Sequence, residues 1–240
     1  MNNNQSIGDL LYRWIDRQAT VDGLSVMLGE MAAGPDDARL DLAFARLPRL
    51  VGRAPLTLAP ADEAAAEAAR PGWRPAGWPV DAAARILLLL HLPRAGFADR
   101  FRRLRRVADT AELVALFRGL PLYPDPERLE DEAGEGLRSN MRPVFEAVAH
   151  HSPYPREVFG EHRWNHMVLK ALFVDSPLAP IQGLDERANP ELAMMLRDYA
   201  RERRAAGRPI SPELWRCLIP FAQAVGAEAD VALADLERIP

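Results

Sequence analysis

Apolar residues along this chain recur at spacings of three and four from Ser6 to Leu236, and they never alternate over a useful length. That period belongs to helices with one buried face and not to strands. Helix punctuation agrees. Ser6 with Asp9 resembles a capping box ahead of Leu10, Leu11, Trp14 and Ile15. Gly34-Pro35-Asp36-Asp37 opens a helix carrying Leu40, Phe44 and Leu47, which Pro48 is expected to kink or end. Asp109, with Glu112 three positions on, caps a helix bearing Leu113, Leu116 and Phe117. Asn189-Pro190-Glu191 and Ser211-Pro212-Glu213 each read as cap, N1 proline and N2 acid. The run Ile86–Leu90 predicts a central helix at about 80–92. Roughly ten short helices with short connections follow, as a single all-α domain over 1–240. The expected architecture is a HEAT- or armadillo-like solenoid of antiparallel pairs, or an orthogonal bundle.

Two stretches interrupt the pattern. Residues 71–79 hold three prolines, two glycines, Trp73 and Trp78, which predicts an ordered loop or packed elbow. Residues 121–135 are acidic and broken by Pro121, Pro124 and Pro126, an internal joint without being a domain boundary.

Composition narrows the function classes. A net charge of −4 over 240 residues argues against a general nucleic-acid binder. One cysteine, Cys217, excludes an intramolecular disulfide and a cysteine-built metal site. The first residues lack a basic segment followed by a long apolar one, and the Ile86–Leu90 run is too short to cross a bilayer. A cytoplasmic protein without a membrane span is expected.

The chain has a single lysine, Lys170, among its arginines, and it falls in the least polar helix, Glu161 to Val174. That helix is expected to be buried on nearly every side. Lysine can lose its proton when desolvated, whereas arginine stays charged. Lys170 therefore snorkels, pairs with an acid such as Asp175, Asp185 or Asp198, or faces a pocket as a charge, nucleophile or base. His162 and His166 share one helix face with it, but the glutamate of a zincin helix is replaced by Arg163 and no third ligand is evident. No metal and no cofactor is assigned. Asn165 lies inside the apolar arc, so its amide needs partners: a loop backbone or a ligand. In Ala149-His150-His151-Ser152-Pro153-Tyr154-Pro155 two prolines flank Tyr154 and direct its ring, and at most one of the histidines looks inward. The loop 175–189 is proline-stiffened and carries Asp185, Arg187 and Asn189, the stock of a binding loop or of helix caps. The arginine clusters 100–106 and 201–204 read as solvated faces. A phosphate-binding glycine loop and a nucleophile elbow are both missing.

The segment 150–220 resembles the EboA family. The resemblance is carried by Trp164-Asn165, Met167 through Phe173, Ser176-Pro177-Leu178, Ile181, Gly183-Leu184-Asp185, Arg187, and Asn189 through Leu192. Asp198-Tyr199-Ala200, Ala205 through Arg208 and Pro212 through Arg216 extend it. The chain departs from that pattern at His166, where a glutamine is usual, and at Ile219, where a glycine is usual. The resemblance implies a bacterial gene cluster associated with trafficking or export of a small metabolite. The companions there look like prenyltransferase, sugar-phosphate-isomerase-like, dehydroquinate-synthase-like and metal-dependent hydrolase proteins. It implies no catalytic residue set.

The leading expectation is an accessory protein that binds a small metabolite, or a partner enzyme of the same cluster, through residues near 150–190. Lys170, Asn165, Tyr154, His151, Asp185 and Arg187 are the expected lining. Lys170 and Arg187 would neutralise charge, and Asn165 and Tyr154 would recognise polar groups. The alternatives are an enzyme on a small anionic or carbonyl metabolite, with Lys170 as amine or base, and a pure interaction scaffold.

Overall fold

The computed structural model describes residues 3–19 and 21–237. Fourteen α-helices occur among them: α1 (Asn3–Asp16), α2 (Asp22–Ala32), α3 (Asp37–Val51), α4 (Pro60–Ala69), α5 (Val80–Leu90), α6 (Phe97–Val107), α7 (Thr110–Arg118), α8 (Glu130–Arg138), α9 (Arg142–Ala149), α10 (Tyr154–Val158), α11 (Glu161–Phe173), α12 (Pro190–Ala205), α13 (Leu214–Leu218) and α14 (Glu228–Glu237). The described residues form no β-strand, and extended pairing is confined to one isolated bridge between Pro55 and Pro79. The all-α expectation is therefore met. The chain groups into two compact units, Met1–Tyr154 and Pro155–Pro240.

In the first unit α5 is the central element. Every residue from Val80 to Leu89 is buried, and α1, α2, α3 and α7 pack against the helix. An aliphatic face alone would explain Ile86–Leu89, but the burial extends to Asp81 and Arg85. These two pair at 2.5 Å, with Glu112 3.8 Å from Arg85 and the Phe44 ring 5.2 Å from its guanidinium. Burying an ion is tolerable only with such company. Behind α5, α7, α8 and α9 pack together. Gly136 of α8 is what lets them close: a Cβ there would meet Phe117 and Val148 at 2.8 Å.

The predicted caps hold where the chemistry is local. Asp36 accepts from the Arg39 N–H, Asp109 and Glu112 form the reciprocal box, and Asn189 accepts from the Leu192 N–H. Other expectations are corrected. The first helix already begins at Asn3, so Ser6 lies inside it and does not precede it. Pro48 does not end α3, which runs on to Val51. After Ser211-Pro212 the helix starts at Leu214 and not at Pro212, and the Glu213 carboxylate accepts from the Leu178 and Ala179 N–H groups. Three helices go beyond the expected set. Glycine dilutes the pattern of α2, which nevertheless buries Leu24, Leu28 and Met31. The acidic run from Glu130 opens α8, where carboxylates favour a helix N-terminus. The short α10 begins at the proline-flanked Tyr154.

The arginine cluster of α6 is not a free solvated face. Arg102 and Arg105 both clamp the buried Glu132 of α8, and Arg103 pairs with Asp37 and Asp41 of α3. In the second unit Arg201 and Arg204 hold Asp230, so this cluster too fastens one helix, α14, to another, α12.

Candidate ligand-binding site

The elbow at 71–79 is ordered by backbone pairing. The Leu56 N–H donates to the Trp78 carbonyl at 2.6 Å, Gly77 N–H to Leu56, and Val80 N–H to Ala54. Gly72 and Gly77 take φ of 81° and 75°, left-handed turns that suit glycine. This framework sets Trp73 between Trp14 and Trp78, with ring centroids 5.6 and 6.3 Å apart. The indole N–H of Trp14 is satisfied by Asp62 at 2.9 Å, whereas that of Trp73 is buried with no partner among the described residues.

One side of this tryptophan stack borders a cavity of about 610 Å³. Helix α4 contributes Glu63 and Glu67, the elbow contributes Trp73 through Trp78, and α7 ends in Arg118. Helix α9 and the turn after it contribute Glu146, Ala147, His150, His151 and Ser152. Arg118 is half-buried, its guanidinium lies 6.0 Å from the Trp78 ring, and burial lowers its pKa. No carboxylate among the described residues pairs with it. Glu146 bonds Arg142 at 2.7 Å, and Glu67 accepts from the Gly72 N–H at 3.0 Å.

His151 is held in an unusual conformation for a side chain with a Cβ, at φ 52°. That turn follows α9 directly and brings the imidazole to the cavity, where burial pushes its pKa down and Arg74 and Arg118 push it the same way.

The other expected lining residues lie elsewhere. Tyr154 is buried, and its hydroxyl donates to the Pro126 carbonyl at 2.8 Å. The remaining four belong to the second unit. Asn165 and Asn189 exchange amide hydrogen bonds at 2.9 and 3.2 Å, so Asn165 steadies the residue that caps α12. Arg187 covers the Trp164 ring at 4.6 Å and donates to the Pro155 and Arg156 carbonyls; burial lowers its pKa against the opposing pull of Glu161. Asp185 is exposed and ion-paired with Arg216, which holds its pKa down. Lys170 is half-buried, and desolvation lowers its pKa. Helix α11 is not buried all round, contrary to expectation. Trp164, Asn165, Met167, Val168, Ala171 and Leu172 face inward, while Glu161, His162, His166 and Phe173 are exposed. The two histidine rings lie 4.3 Å apart on that open side, and no group of three metal-ligating residues occurs among the described residues.

Among the expected lining residues, therefore, only His151 borders the cavity. Arg118 and Arg74 went unmarked in the sequence, and Trp78 was marked only as part of an ordered elbow. The signal available was the rigid tryptophan elbow, which predicts order but not which arginine it faces.

Helices without a sheet, around a cavity of small-molecule size, define an all-α protein with a candidate binding pocket. The chain belongs to the EboA family: the family model, described as metabolite traffic protein EboA, matches residues 7–219. The match extends far beyond the 150–220 segment and takes in the helices that wall the cavity. No curated protein and no solved structure matches the chain. No described helix is long and apolar enough to cross a membrane.

Proposed function

We propose that this protein is a cytoplasmic accessory component of a small-metabolite pathway and that it binds a metabolite in the cavity of its first unit. The observation that carries this reading is the cavity of about 610 Å³ between the tryptophan elbow and the end of α9. Its size falls in the range of small-molecule sites, about 300–1,000 Å³. Its lining mixes aromatic walls with charged groups from three helices, as recognition of a polar metabolite requires. The family's description as a metabolite traffic protein supports the same role. In this reading His151 contacts the ligand, and Trp73 and Trp78 form the aromatic wall. Partner enzymes of the same gene cluster would deliver or receive the ligand.

The test is thermal unfolding against a panel of small metabolites, using the wild type and Ala76→Trp. Ala76 lines the cavity and is exposed, so an indole there fills space without entering the core. Compounds that stabilise the wild type should leave Ala76→Trp unmoved. Stabilisation equal in both proteins, or no stabilising compound at all, counts against the proposal.

An enzymatic reading would use Lys170, half-buried in α11 with its pKa lowered by desolvation, as amine or base. Borohydride treatment with carbonyl metabolites would trap an adduct on Lys170 if that reading holds, and absence of an adduct leaves the binding role ahead.

A further inference from the structure

The cavity is charged unevenly. Its lining carries two guanidinium groups and three carboxylates, and Arg74 and Arg118 both lower the pKa of His151. The cavity's titratable and charged groups facing His151 are Glu63 and Glu67 of α4, Arg74 of the elbow, Arg118 of α7, and Glu146 and His150 of α9 and its end. The acids are spoken for or remote in effect: Glu146 is neutralised by Arg142, Glu67 ties down the Gly72 N–H, and Glu63 is exposed. Neither the exposed Arg74 nor the half-buried Arg118 has an ion-pair partner among the described residues, whereas the buried Arg85 pairs with Asp81. A half-buried guanidinium without a counter-charge is costly unless an anion joins it. The left-handed backbone at His151 is a second constrained feature at the same place, and such strain persists where the surrounding structure imposes it.

We propose that Arg118, Arg74 and His151 form an oxyanion subsite, so that the ligand carries a carboxylate- or phosphate-type group and binds with uptake of a proton by His151. This rests on the cavity being the ligand site. Arg118 is the fixed anchor, because a guanidinium stays charged across the physiological range and offers paired donors to a planar oxyanion. His151 is the adjustable member. In the free protein partial burial and the two cations, Arg74 and Arg118, lower its pKa, although the residue as a whole is exposed. A bound anion reverses that balance and favours the imidazolium. Affinity is therefore greatest at low pH. It declines as the pH rises through the anion-bound pKa of His151, by at most about tenfold per pH unit for one linked proton.

Isothermal titration between pH 5.5 and 8 with benzoate, sulfate and the neutral isostere benzamide tests this. Benzoate stays ionised throughout, because its carboxyl titrates near the usual carboxylate range of about 4. The expected result is oxyanion binding that weakens with rising pH and exceeds benzamide binding. Arg118→Gln should weaken benzoate by about 10- to 100-fold at every pH, the loss of one charge-assisted hydrogen bond. His151→Asn should flatten the pH profile, and asparagine is chosen because it tolerates the left-handed backbone. Circular dichroism checks that both variants fold. Benzamide binding as tightly as benzoate, a flat wild-type profile, or an affinity unchanged in Arg118→Gln would overturn the inference, and so would failure of both oxyanions to bind. Benzamide binding that Ala76→Trp abolishes would leave the cavity reading standing while the oxyanion subsite fell.

Discussion

Replacing Gly136 by alanine tests the closest helix approach that walls the cavity. Gly136 is buried in α8, and an added Cβ would sit 2.8 Å from Phe117 Cζ, 2.8 Å from Val148 Cγ2 and 2.9 Å from Phe117 Cε2. Ordinary carbon contacts lie at about 3.5–4.0 Å, so two neighbours must each retreat by several tenths of an ångström. Neither has room. Phe117 and Val148 are 1% and 0% exposed, and Phe101 stands edge-on to Phe117 at 6.1 Å. Overpacking of this kind costs about 1–3 kcal/mol. Against it stands the better helix propensity of alanine, about 1 kcal/mol over glycine. The net expectation is a loss of about 0–2 kcal/mol, read from the urea midpoint by tryptophan fluorescence. Gly29→Ala is the matched control. Gly29 is exposed in α2 with nothing within 4 Å of its added Cβ, so the same chemical change should stabilise by up to about 1 kcal/mol. A Gly136→Ala protein as stable as the control would refute the close packing of α7, α8 and α9. Since α7 ends in Arg118 and α9 carries Ala147, the variant should also bind ligand more weakly.

Three further outcomes are expected. Arg85→Met should cost about 3–5 kcal/mol in urea titration, because Asp81 at 3% exposure keeps only the Arg53 guanidinium at 4.0 Å; adding Asp81→Asn should recover part of the loss, and a cost under about 1 kcal/mol would show the pair to be open to water. The Cys217 thiol, 1% exposed, is pushed up to about 11 by burial, with Asp185 and Glu213 adding and Arg216 opposing. Ellman's reagent at pH 8 should therefore label the native protein on the order of a hundredfold more slowly than the urea-unfolded one, and equal rates would contradict its burial. Reductive methylation with labelled formaldehyde gives Lys170 as the sole lysine signal, which should titrate below the ordinary lysine value because the group is desolvated. With the folded pKa lowered, its charge weakens the fold at neutral pH, and that penalty is relieved as the pH rises through the lowered value. Titration at or above the ordinary value would remove the reason to treat Lys170 as a reactive amine.

Helix existence, helix caps and the all-α class were legible along the chain because each depends on residues three or four apart. Asp36, Asp109 and Asn189 cap through groups within reach of their own first turn, and α5 declares its burial through an unbroken aliphatic run. The end of α3 and the start of α13 were less legible for the complementary reason. Val51, packed in the core at 7% exposure, lies beyond Pro48 in a helix that continues past it, and Glu213 was diverted to backbone donors 34 and 35 positions away. The fate of the arginines was illegible for the same cause. Arg102, Arg103 and Arg105 look alike with Arg118 on a helical wheel. The first three are neutralised by carboxylates 27 to 66 positions distant, while Arg118 meets a tryptophan face and a cavity. Periodicity reports which face of a helix is apolar, and it carries no information about which charges from remote segments will meet. That pairing is set when α4, the elbow, α7 and α9 pack. Only then does the half-buried Arg118, with no ion-pair partner among the described residues, come to border the same cavity as the constrained His151.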